Sequence, residues 1–180
     1  MSQTETLNYL NRVQKTIELI SNSNEFHETV SEVSESIISC NHLNKIAVIY
    51  GNGGSAADAQ HFSAELTGTY IRKDRKTYKS IALTTDTSFM TAWSNDFEFA
   101  SVFSRQIKAL SSNIGLSIGL STSGKSKNII EALKLSNDLN IKTVLITGKK
   151  CPKYDFVNTI FRVPSSETSI IQTVTQIMYH

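Results

Sequence analysis

The chain has 180 residues, 39% of them hydrophobic and 19% charged, which fits one cored domain and excludes a disordered chain. No apolar run approaches the roughly 18 residues needed to span a bilayer. Eighteen Lys+Arg against sixteen Asp+Glu leave a net charge of +2, too little to require an anionic polymer as partner. The two cysteines, Cys40 and Cys151, have no CxxC spacing, and the polar N-terminus lacks a secretory layout. The expectation is therefore a cytoplasmic protein with neither a membrane nor a nucleic acid as partner.

The first forty residues read as two amphipathic helices. Leu7, Leu10, Val13, Ile17 and Ile20 step by three or four, and Phe26, Val30, Val33, Ile37 and Cys40 repeat the pattern after Ser21–Asn24. Each stripe needs a surface, either the rest of the domain or another subunit. From residue 44 short apolar runs alternate with helical stretches. Ile46–Tyr50, Ile81–Leu83, Leu116–Leu120, Val144–Ile146 and Thr159–Val163 read as strands; Ala56–Gly68, Phe99–Leu110 and Lys127–Leu139 read as helices. That alternation predicts an α/β fold, a three-layer αβα sandwich with a five-stranded parallel sheet and two extra N-terminal helices. Residues 1–180 are expected to form one domain: 1–43 the N-terminal helices, 44–180 the sheet core. Ligands of such sheets sit at the carboxyl ends of the strands.

The first strand runs into Gly51-Asn52-Gly53-Gly54-Ser55, and a helix follows. Glycines let backbone approach a ligand, and a helix start offers free N–H groups to an oxyanion. The spacing also fits the loose dinucleotide fingerprint, but its acidic residue is not where the second strand should supply it. The third strand runs into Ser121-Thr122-Ser123-Gly124-Lys125-Ser126. Its hydroxyls read either as an oxyanion cradle or as a capped helix start, and the P-loop spacing is absent. Two cradles at neighbouring strand ends favour a phosphorylated small molecule. His61 and Glu65 share one helical face and read as a surface pair or as metal ligands. Gln172 and His180 lie about 80° apart around a helix and two turns along it. Arg72, Lys73, Arg75, Lys76 and Lys79 form a basic loop, read as solvated or as attracting an anion.

The stretch Gly51 to Leu66 closely resembles the phosphoheptose isomerases of the sugar isomerase (SIS) domain superfamily. Ala82–Ser88, Asn95-Asp96, Val102–Gln106, Ser121–Gly124, Val163–Ser165 and Ile171-Gln172 are similar to that family as well. The resemblance implies a flavodoxin-like SIS fold. It also implies an aldose–ketose isomerase acting on sedoheptulose 7-phosphate, at the start of heptose nucleotide supply for lipopolysaccharide or other surface glycans. It assigns Glu65 and His180 to catalysis. It assigns Asn52, Gly53, Gly54, Ser55, Glu65, Asn95, Asp96, Ser121, Thr122, Ser123, Ser126 and Gln172 to the sugar phosphate. It further implies one zinc per subunit on His61, Glu65, Gln172 and His180, and a homotetramer with sites built across subunits. The alternatives are a non-catalytic SIS adaptor that binds a replication initiator, which would lack the Glu65 acid, or another phosphosugar isomerase. Thr69 and Ile170 stand where relatives usually carry Arg, and Thr173 where they carry Glu. Trp93-Ser94 stands for a usual Ile-Gly and Lys149–Lys153 for a glycine-rich loop. The chain ends at His180, whereas relatives usually continue for a further turn or more.

Overall fold

Helix α1 (Gln3–Ser21) begins where Ser2 and Glu5 form a reciprocal capping box, and α2 (Asn24–His42) begins where the Ser23 hydroxyl accepts from the N–H of Phe26. These caps satisfy N–H groups that a helix start otherwise leaves open. The computed structural model describes residues 2–180. The strands are β1 (Ile46–Gly51), β2 (Ser80–Ala82), β3 (Ile114–Ser121), β4 (Lys142–Gly148) and β5 (Thr159–Val163). The later helices are α3 (Gly54–Thr67), α4 (Thr87–Asp96), α5 (Val102–Leu110), α6 (Lys127–Asp138) and α7 (Thr168–Tyr179). None of the described helices is long and apolar enough to cross a membrane.

All strand pairs are parallel and the sheet order is β2-β1-β3-β4-β5. Alternate residues feed two cores because side chains change face at every step of a strand. Ala47, Ile49, Leu116, Ile118, Val144, Ile146 and Phe161 meet Val33, Ile37, Phe62, Ile171 and Val174, from α2, α3 and α7. Val48, Tyr50 and Leu145 meet Phe103, Ile107, Ile129 and Leu133, from α5 and α6. The three-layer expectation therefore stands. Ile170, where the resemblance leads one to expect Arg, is 1% exposed and packs into α7's buried face.

Helix α4 is the element that periodicity does not announce. Its sequence TSFMTAWSND carries only a short apolar face, Phe89, Met90 and Trp93, which packs half-buried on the second core, and none of its residues is fully buried. It is started by Asp86, whose carboxylate accepts from the N–H of Phe89 at 2.9 Å. Tertiary placement dictates the site as well. The strand order changes direction between β1 and β3, the place at which such sheets form a ligand crevice outside the strand ends.

Candidate active site

Gly51–Ser55 and Ser121–Ser126 are the two loops at this crevice. Gly53 has φ +55° and Gly124 φ +67°, conformations that a side chain would strain. Neither following helix start is closed by a side chain of its N-cap residue, Gly53 for α3 and Ser126 for α6. The capped-start reading of the hydroxyl loop is thus not what the structure adopts. The Ser126 hydroxyl lies 3.1 Å from that of Ser121, Thr122 Oγ1 lies 3.5 Å from Thr168 Oγ1, and Ser123 Oγ accepts from the N–H of Lys125 at 3.1 Å. Two adjacent helix starts and four hydroxyls make an oxyanion cradle with no cationic side chain built into it.

Asn128 joins the two loops. Its side chain exchanges two hydrogen bonds with Asn52, at 2.9 and 2.8 Å, and accepts from the N–H of Ile129 at 3.0 Å. It is 3% exposed. Sequence reasoning missed it, because an Asn in a helix's first turn carries no sign of a partner 76 residues away.

At the other end of α3, His61, Glu65 and His180 converge, with one ligand atom from each lying within 4.8 Å of the others. His61 Nε2 stands 3.2 Å from Glu65 Oε1, and Glu65 Oε2 is buried without a partner. The Nδ1 of His180 lies 2.8 Å from the carbonyl of Gln176. A carbonyl only accepts, so this nitrogen carries a proton, and in the neutral ring Nε2 is the nitrogen with the lone pair. Tyr179 hydrogen-bonds His61 Nδ1 at 2.9 Å. Its hydroxyl can donate or accept, so it serves either tautomer of His61. Burial first, then the charges of Asp58 and Glu65, push the Tyr179 phenol up to about 12, and it stays protonated. Tyr179 was not singled out in the sequence, since its role exists only once α7 lies on α3.

Gln172 stands elsewhere within one chain. Helices α3 and α7 run side by side, with Gln172 against Gly54, Gln176 bonded to Asp58 at 3.2 Å, and Tyr179 on His61. Eight residues of helix separate Gln172 from His180 by about 12 Å along the axis. Its amide belongs with the cradle, and three of the four expected ligands meet without it. Asn95 and Asp96 sit exposed at the end of α4, where the Asn95 amide donates to the Asp96 carboxylate at 2.9 Å. Ser55 is buried beside the first loop, its N–H donating to the carbonyl of Asn52 at 3.0 Å.

The basic loop divides. Arg72 is exposed and lies 3.8 Å from Asp74. Arg75 instead donates to the carbonyls of Glu65, Leu66 and Gly68 at the end of α3, where the Leu66 carbonyl also accepts from the N–H of Tyr78 at 3.0 Å, and its guanidinium lies 5.0 Å from the Tyr78 ring. It secures the turn that carries Glu65. A cleft of about 370 Å³ opens beside the trio, lined by Glu65, Tyr70, Arg72, Arg75 and His180 and by apolar residues of α2.

Comparison with known proteins identifies a family. A family profile described as the SIS domain matches residues 8–148. Phosphoheptose isomerase 1 of Campylobacter jejuni is 44% identical over 157 residues, covering 84% of this chain and 81% of that protein. The chain belongs to the phosphoheptose isomerase family of SIS-domain proteins. Solved members superpose closely. The phosphoheptose isomerase of Francisella tularensis gives a TM-score of 0.89 at 26% identity, over 100% of this chain and 95% of that one. The phosphoheptose isomerase of Neisseria gonorrhoeae gives 0.86 at 33% identity, over 99% and 94%.

Proposed function

We propose that this phosphoheptose isomerase family member interconverts sedoheptulose 7-phosphate and D-glycero-D-manno-heptose 7-phosphate. The observation that carries the reading is the pairing of an uncharged oxyanion cradle with a buried carboxylate oxygen that lacks a partner. The cradle takes the phosphate through Ser121, Thr122, Ser123, Ser126 and the N–H groups of Asn52 to Gly54, with Gln172 beside it. Glu65 takes the proton from C1 of the ketose. The C–H electron pair becomes the C1–C2 double bond of an enediol, and the carbonyl oxygen on C2 gains a proton. Glu65 then returns the proton to C2 while the hydroxyl on C1 loses its own to leave an aldehyde. The free Nε2 of His180 shuttles the oxygen protons.

His61, Glu65 and His180 are a donor set that suits zinc, and the orphaned Oε2 of Glu65 is the kind of atom a cation satisfies. When bound, a metal ion would polarise the carbonyl and stabilise negative charge on the enediol oxygens.

Along α3 the cradle and Glu65 are eleven residues apart, about 16 Å of helix. That exceeds the reach of one heptose from phosphate to carbonyl. The complete site therefore draws the cradle from one chain and the acid–base pair from another, which is the reading that supports a homotetramer. Exposed Leu7, Leu10 and Leu19 on α1 are available for such contacts. A cytoplasmic role in heptose supply for surface glycans, with residues 1–180 acting as one domain, belongs to the same proposal. The test is turnover of sedoheptulose 7-phosphate by the wild type and His180→Gln. A wild type inert with and without added zinc would refute the activity, and full activity in the variant would refute the role of His180.

A further inference from the structure

The hydroxyl loop is held from behind by the connection between β4 and β5, and we infer that Tyr154 is the residue that positions this loop for phosphate. The inference rests on the isomerase reading above.

The Tyr154 hydroxyl donates to the carbonyl of Gly124 at 2.8 Å, and the N–H of Gly148 donates to the carbonyl of Thr122 at 3.1 Å. A trans peptide points its C=O and its N–H in opposite directions. Drawing the Gly124 carbonyl toward Tyr154 therefore turns the N–H of Lys125 to the opposite side of the loop. The Ser123 hydroxyl oxygen meets that N–H there, at 3.1 Å. With its oxygen engaged as acceptor, Ser123 keeps its own O–H for a ligand. Drawing the Thr122 carbonyl toward Gly148 likewise turns the N–H of Ser123 away from β4. Two donors behind the loop thus aim one hydroxyl and one amide in front of it.

The same connection supplies the surface on which Gly124 rests. A Cβ on Gly124 would strike Cys151 Sγ and lie 3.0 Å from Thr147 Oγ1. Gly124 is buried, so this backbone has no other place to go. Tyr154 is half-buried, and burial raises its phenol above the ordinary range, which keeps the donating proton in place. Tyr154 reaches the substrate only through Gly124 and Ser123, which makes it a positioning residue.

The experiment compares wild type with Tyr154→Phe, which retains the ring and removes the donor. Inorganic phosphate binding is measured by calorimetry, KM and kcat for sedoheptulose 7-phosphate by steady-state assay, and folding by thermal melt. Loss of one hydrogen bond behind the loop is expected to raise both KM and the phosphate Kd by roughly two- to tenfold, with kcat held within about twofold because Glu65 and His180 are untouched. Should Tyr154→Phe not fold, Cys151→Ala carries the same test by removing the support beneath Gly124. Unchanged phosphate binding in the variant, a fall in kcat alone, or no phosphate binding by the wild type overturns the assignment. A wild type that binds phosphate more tightly than Tyr154→Phe yet turns over no sugar would instead sink the isomerase reading and leave Tyr154 in place.

Discussion

Replacing Glu65 with Gln is expected to destroy turnover while leaving the fold at least as stable. The carboxylate is poorly satisfied, since Oε1 lies 3.2 Å from His61 Nε2 and Oε2 is buried without a donor. Holding such an oxygen out of water costs on the order of 1–3 kcal/mol. The amide keeps the size of the side chain and can still accept from His61, but it leaves an uncharged NH2 in the orphaned place, so only about 1 kcal/mol of that cost is relieved. The variant weakens a contact with His61 whose side chains are 46% and 21% exposed, worth about 0–1 kcal/mol. The net expectation is a stability change between zero and a gain of about 1 kcal/mol, read as a melting temperature unchanged or up by about 2–4 °C. Loss of a general base lowers kcat by about 10²- to 10⁴-fold. The assays are a thermal melt in chelator, so that bound metal does not contribute, and sedoheptulose 7-phosphate turnover on the same preparations. Activity within tenfold of wild type would refute the base assignment. A loss of more than about 4 °C alongside lost activity would show that Glu65 holds the fold instead.

Asn128→Ala should lower unfolding free energy by about 1–3 kcal/mol, because the buried amide it removes pairs with Asn52 and Ile129; urea denaturation reads the loss, and kcat/KM should fall with it as the two loops part. Gly124→Ala should abolish phosphate binding, since the new side chain meets both a positive φ and Cys151; calorimetry that finds normal phosphate affinity would show that the loop can move. Tyr50 is wholly buried, and burial pushes its phenol up, with bonds from Ser117 and Ser136 only partly offsetting that. Its native form holds the proton more tightly than the unfolded chain, so stability is complete below about pH 10 and falls above it, by up to about 1.4 kcal/mol per pH unit. Tyr50→Phe should flatten that slope in unfolding measured from pH 9 to 11. Zinc added to chelator-treated protein should raise the melting temperature, by the equivalent of about 2.7 kcal/mol at a hundredfold excess over Kd, and His61→Ala should remove the effect.

Much of this protein was legible along the chain because its strands are short apolar runs and its helices carry stripes. Local rules suffice for such segments, since a strand such as Ala47–Tyr50 is buried on both faces and nothing else fits it. Helix α4 escaped because it is short and only Phe89, Met90 and Trp93 pack, half-buried, on the core, which leaves too brief a stripe to read. The loops at Gly53 and Ser121–Ser126 were visible because glycines and hydroxyls cluster where strands end. His61 and Glu65 were visible as a pair because a helix places i and i+4 together.

What the sequence by itself determined was the set of elements, the two loops and the residue types fit for phosphate and proton transfer. Tertiary structure alone decided which of them meet. Laying α7 beside α3 gave Tyr179 to His61 and Gln172 to Gly54, and so set Gln172 at the cradle end of α3 and His180 beside Glu65 at the other. Folding β1 next to β3 paired Asn52 with Asn128, and the β4–β5 connection placed Tyr154 behind Gly124. The physical reason is the same in each case: spacing along one helix or strand is set by its own geometry, whereas contact between two elements depends on how their buried faces pack.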